Sequence, residues 1–150
     1  MSANLKLIHL ACAGLFLGNV IVSGVWALLA ERTRNHAIIQ FSNRMVLITD
    51  GLFTLLGSVG LVWTGYAMAE NFGGGEGHAW IQWSYALLSF SGLIWLCILV
   101  PIQFKQRALL QNTDTVCEAY WRLSRIWQIA GAVATLIPLP IVYFMVTKTQ

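Results

Sequence analysis

Apolar residues gather into four long runs along the chain, separated by short polar stretches. They lie near residues 7–30, 45–69, 80–101 and 126–147. Within the runs, apolar and polar positions do not alternate as the strands of a membrane barrel would. Each run can cross a hydrocarbon core of about 30 Å, which takes about 20 helical residues. In lipid a helix satisfies its own backbone hydrogen bonds, so the pattern predicts an all-α integral membrane four-helix bundle. The whole chain, residues 1–150, reads as one such domain. The glycine-rich connection "ENFGGGEGH" (residues 70–78) is short, so the second and third spans are expected to be adjacent and antiparallel. The connection at 102–125 mixes apolar and charged residues, as an interfacial or extended helix does. Gly14 and Gly18 form a GxxxG step that suits close helix approach.

Composition supports lipid as the solvent: 57% of residues are hydrophobic and only 10% charged, with mean hydropathy +0.67. The placement of charge then sets orientation. Arg32, Arg34, Arg44, Lys105, Arg107, Arg122 and Arg125 fall in the first and third connections, whereas residues 70–78 hold no Lys or Arg. The positive-inside rule predicts a multi-pass, N-out/C-out topology with the glycine loop outside. Trp63, Tyr66, Trp80, Trp83 and Tyr143 should form an outer aromatic belt, and Trp121 and Trp127 an inner one. Basic residues placed between apolar blocks describe topology, and no nucleic-acid partner is expected. The first run is too long for a cleaved signal and lacks a small-x-small site after it. Cys12, Cys97 and Cys117 have no CxxC spacing and read as small buried hydrophobes.

The few polar residues within the runs carry whatever chemistry the chain has. Asp50 lies about one turn inside the second span, where a carboxylate must pair or stay protonated. Arg44, Arg125 and Gln103 fall at the same level, so a structural ion pair of Asp50 with Arg44 or Arg125 is expected, and a proton relay is the alternative. His9 sits near the outer start of the first span, at the level of Thr64, Trp83 and Tyr143. A lone imidazole there reads as a hydrogen-bonded packing residue or, in a four-helix bundle, as an axial haem ligand. Met1, Met68, Met145 and His78 fall at the same face and supply candidate second ligands to haem or a copper(I) site. His36, in a polar connection, is expected to be solvated.

An ordered set of segments is also familiar. It comprises "LKLIHL", "RMVLITDGLFT", "WTGYAM", "WLCILVPIQ", "YWRLSRIWQIAG" and the closing "MVTK". Together these resemble the DUF2269 family, bacterial integral membrane proteins of unknown function, over nearly the whole chain. More distantly the arrangement is similar to the CopD-like membrane proteins, which include copper-resistance proteins and the HemJ type of protoporphyrinogen oxidase. In the HemJ type a first-span histidine matters for haem-associated redox chemistry, and the "LKxxH" setting carries that role to His9. The arginine and lysine of later HemJ spans find no match here, so the resemblance implies haem-linked redox chemistry more broadly than that one oxidation.

Three functions are therefore expected. The first is a haem b protein with His9 as axial ligand, serving electron transfer, with a quinone or other membrane subunits as partners beside the lipid bilayer. The second is a non-enzymatic accessory or assembly subunit of a larger, respiratory-type membrane complex. The third is copper handling at the outer face through His9 and the nearby methionines. Phosphate binding has no support, since Gly73–Gly75 is followed by no Lys-Ser/Thr pair.

Overall fold

In a computed structural model that describes residues 3–75 and 78–147, four long helices run back and forth: Ala3–Arg32, His36–Gly74, Ala79–Asn112 and Glu118–Thr147. Each is long and apolar enough to cross a membrane. No strand occurs among the described residues. Large hydrophobic side chains such as Leu10, Ile129 and Val146 point outward, exposed by 70%, 68% and 78%. Such a surface is stable where the solvent is lipid.

Local chemistry explains where the helices begin, bend and end. Helix α1 (Ala3–Arg32) is closed by Arg34, whose φ is 54° and whose guanidinium lies 4.5 Å above the Trp121 ring. Helix α2 (His36–Thr49) starts at Asn35, whose side chain accepts from the backbone N–H groups of Ala37 and Ile38. A π-helical turn, Asp50–Thr54, joins α2 to α3 (Leu55–Ala69). In the third span a second π-turn, Trp95–Leu99, joins α4 (Ala79–Ile94) to α5 (Val100–Asn112). Pro101, which has no N–H to give the helical ladder, is the second residue of α5. Helix α6 (Glu118–Leu136) gives way to α7 (Leu139–Thr147) around Pro138 and Pro140. Between α3 and α4 the chain turns through Gly73 and Gly74 at φ 66° and 75°, a region that favours glycine.

The two ends of the bundle are packed differently. At the end carrying the basic connections, α1, α2, α5 and α6 close around Ala30, Ile39, Leu110 and Tyr120. A second cluster of Val46, Leu99, Ile102, Trp127 and Ala134 continues toward the middle. At the glycine-loop end, α3 packs on α1, and α4 packs on α6 and α7. The second and third spans are adjacent and antiparallel, as expected, through α2 packed on α5 at the basic end, but at the loop end α3 and α4 face each other across a cleft.

The stretch at 102–125 takes the extended of its two expected forms, a helical hairpin that prolongs α5 and α6 beyond the apolar runs. Three expectations change. The close approach between helices uses Gly57 and Gly60 of α3 against Cys12 and Phe16 of α1. A side chain at Gly14 or Gly18 would meet nothing within 4 Å, so that GxxxG step faces outward. Trp127 lies in the core and not in an aromatic belt, and Cys97 is exposed rather than buried.

Candidate functional site

Asp50 stands at the first position of the π-turn, 6% exposed, in the middle of the packed bundle. Its Oδ1 accepts from Asn19 Nδ2 at 2.9 Å and from Thr54 Oγ1 at 3.1 Å. Its Oδ2 accepts from Gln103 Nε2 at 2.7 Å. Asn19 Nδ2 also reaches Thr54 Oγ1 at 2.9 Å, so α1, the π-turn and the third span are tied at one point. The extra residue of a π-turn rotates the side chains that follow it, and here Asp50 and Thr54 both reach inward. The partners are amides and a hydroxyl, in place of the Arg44 or Arg125 guanidinium expected from the sequence. Both arginines are exposed. A carboxyl group surrounded by neutral donors can be held charged or protonated without a counter-ion's being separated from it.

A second carboxylate joins the centre. Glu31, at the end of α1, looks from the sequence like one more charge of the first connection. Its Oε1 accepts from Ser124 Oγ and from Tyr120 Oη at 3.1 Å, and its Oε2 accepts from Gln128 Nε2 at 2.6 Å. The readable signal was on the other helix. Tyr120, Ser124 and Gln128 recur every four residues, a polar stripe down one face of α6. Between Glu31 and Asp50 lies a cavity of about 20 Å³, lined by Glu31, Ser42, Asn43, Gln103, Gln106 and Trp127 among others. That volume holds about one water molecule. Ser42 Oγ and Trp127 Nε1 are buried there without a protein partner.

Above Asp50, the cleft between the α1/α3 wall and the α4/α6 wall has a volume of about 660 Å³. Its lining is largely apolar, with Phe16, Leu17, Val62, Trp63, Leu88 and Leu99 among the side chains, and Thr54 joins it to the Asp50 centre. Tyr85 Oη is buried in this lining with no hydrogen-bond partner, and the Trp95 indole, also in the lining, is directed at the Asp50 carboxyl group.

His9 belongs to the seam between α1 and α3, outside the cleft lining. Its Nδ1 lies 2.7 Å from Thr64 Oγ1, and Thr64 is wholly buried. Thr64 Oγ1 directs its proton to the Gly60 carbonyl, 2.6 Å away. The ring nitrogen Nδ1 is therefore the donor of the pair, which leaves the lone pair on Nε2. This is the tautomer a metal-ligating histidine adopts when a second group orients it. That leaves Nε2 free of this hydrogen bond, whereas the cleft lining holds no His, Met or Cys.

The other candidate ligands are spread over both walls. Met68 lies one helical turn beyond Thr64 on α3. The His78 ring packs against Phe72 at 5.5 Å. Met145 is on α7, which packs on α4. Met1 lies outside the described residues. Among the described residues no three His, Cys, Asp or Glu side chains are grouped to hold a metal ion. His36 is engaged rather than solvated: its Nε2 lies 3.1 Å from the Leu110 carbonyl, which also accepts from Gln40 Nε2 at 3.2 Å.

The sequence model of one family, described as "Predicted integral membrane protein (DUF2269)", matches residues 3–149. Comparison with curated proteins and with solved structures returned no match.

Proposed function

Because the chain belongs to the DUF2269 family of integral membrane proteins, we propose a role for it within the bilayer: binding an isoprenoid quinone in the cleft and serving electron transfer in a bacterial inner membrane. The observation that carries this reading is an orphaned donor, Tyr85 Oη, in a largely apolar cleft. A buried donor without a partner costs about 1–3 kcal/mol. A ligand that brings a carbonyl oxygen on an apolar body removes that cost. A quinone ring has two such oxygens, and its isoprenoid tail suits the remaining lining. The volume of about 660 Å³ falls in the ordinary range for small-molecule sites, about 300–1,000 Å³. With the basic connections in the cytoplasm, the cleft opens in the outer half of the membrane.

Radiolabelled decylubiquinone binding to the protein in nanodiscs tests the proposal, with empty nanodiscs as background. Tyr85→Phe should weaken saturable binding about fivefold, the loss of about 1 kcal/mol. Decane in excess should compete poorly. Retention no greater than in empty discs, or equal competition by decane, rejects the quinone and leaves a lipid-filled groove.

A second reading, haem b held through His9, is favoured by the tautomer that Thr64 fixes. A dithionite-reduced spectrum of protein produced with ample haem checks it. A b-type α band that is lost in His9→Ala supports this reading, and a spectrum without the band removes it.

A further inference from the structure

We infer that Glu31 and Asp50 are the two ends of a water-bridged path that carries protons between the basic end of the bundle and the floor of the cleft. The inference rests on the cavity and the two carboxylates, independently of what occupies the cleft.

Three observations lead to it. Glu31 lines the cavity and is held by Tyr120, Ser124 and Gln128. Gln103 lines the same cavity and donates to Asp50 Oδ2 at 2.7 Å, so one side chain separates the cavity from the second carboxylate. Ser42, 8% exposed, and Trp127, 9% exposed, line this space, and the Ser42 hydroxyl and the Trp127 indole N–H are buried without a partner. A polar cavity of one-water size with unsatisfied donors and acceptors on its wall is one that water fills.

The groups around each end favour a mobile proton over a fixed ion pair. Tyr120 is the titratable side chain bonded to Glu31. The side chains that face Asp50 from α1, the π-turn and the third span are neutral: Asn19, Thr54, Gln103 and the indole of Trp95. The nearby arginines, Arg32, Arg34, Arg44 and Arg125, are exposed.

The transfer balances simply. Glu31 as a carboxylic acid gives its proton to the cavity water, and the water gives one to the Asp50 carboxylate when the Gln103 amide turns aside. Each hop breaks one O–H bond and makes another, and the negative charge moves from Asp50 to Glu31. From Asp50 the Thr54 hydroxyl reaches the cleft lining.

Infrared difference spectroscopy after a pH jump, on the full chain in nanodiscs, tests the path. Labelling with ¹³C-aspartate separates the aspartic acid C=O band from those of glutamic acids. The exposed Asp114 is removed from the signal by Asp114→Asn, so the band does not require an Asp50 variant for its assignment. Glu31→Gln and the cavity-filling Ser42→Val should each slow protonation of Asp50 at least about tenfold while leaving the final band in place. Native rates in both folded variants, or no aspartic acid band across the pH range of the folded protein, overturn the inference.

Discussion

At the residue scale, each buried polar atom asks for a partner, and the site follows from where those partners were found. Thr64→Val keeps the volume at the α1/α3 seam but removes the acceptor of His9 Nδ1. It should cost about 1 kcal/mol and release the imidazole into a mixture of tautomers, seen as averaged ¹⁵N ring shifts by NMR. Asp50→Asn is nearly isosteric, yet its new amide N–H group would confront the donors of Gln103 or Asn19. A loss of about 1–3 kcal/mol in the unfolding free energy is expected, measured by denaturant titration in micelles. The sequence showed that Asp50 and His9 needed partners, since an ionisable group in an apolar run always does. It did not show which partners, because Asn19 lies 31 residues from Asp50, Gln103 53, and Thr64 55 from His9. Glu31 was illegible for a different reason: beside Arg32 it looks like ordinary surface charge, and only the stripe on α6 marks it.

At the scale of elements, the four helices were plain from the length of the apolar runs, but the two π-turns were not. They depend on how inward-facing side chains settle against one another, which hydropathy does not encode. The choice of glycines was equally a matter of packing. At Gly57 an added Cβ would stand 3.1 Å from the Phe16 backbone nitrogen and 3.2 Å from the Cys12 carbonyl oxygen, neither of which can move aside cheaply. Gly57→Ala should therefore destabilise by about 1–3 kcal/mol, whereas Gly14→Ala, with open space around it, should be neutral. Thermal unfolding of the two variants side by side distinguishes this seam from the GxxxG step. An equal effect at both glycines would place the helix contact elsewhere.

At the scale of the whole molecule, the bundle is closed at its basic end and parted at its loop end. Charge and hydropathy alone announced a bundle but not its opening, because the sides of α3 and α4 that border the cleft are as apolar as those that face lipid. Val62 and Leu88 line opposite walls. Joining Val62→Cys to Leu88→Cys with a short bifunctional thiol reagent, in a background freed of native cysteines, should abolish decylubiquinone binding. The single-cysteine variants treated in the same way should keep it. The walls also have a simple ancestry in the chain: α1 and α3 precede the turn at Gly73 and Gly74, and α4, α6 and α7 follow it. The message can accordingly be interrupted at that turn and the halves made as two separate polypeptides. Their reunion would be guided by Asp50 from one fragment meeting Gln103 from the other.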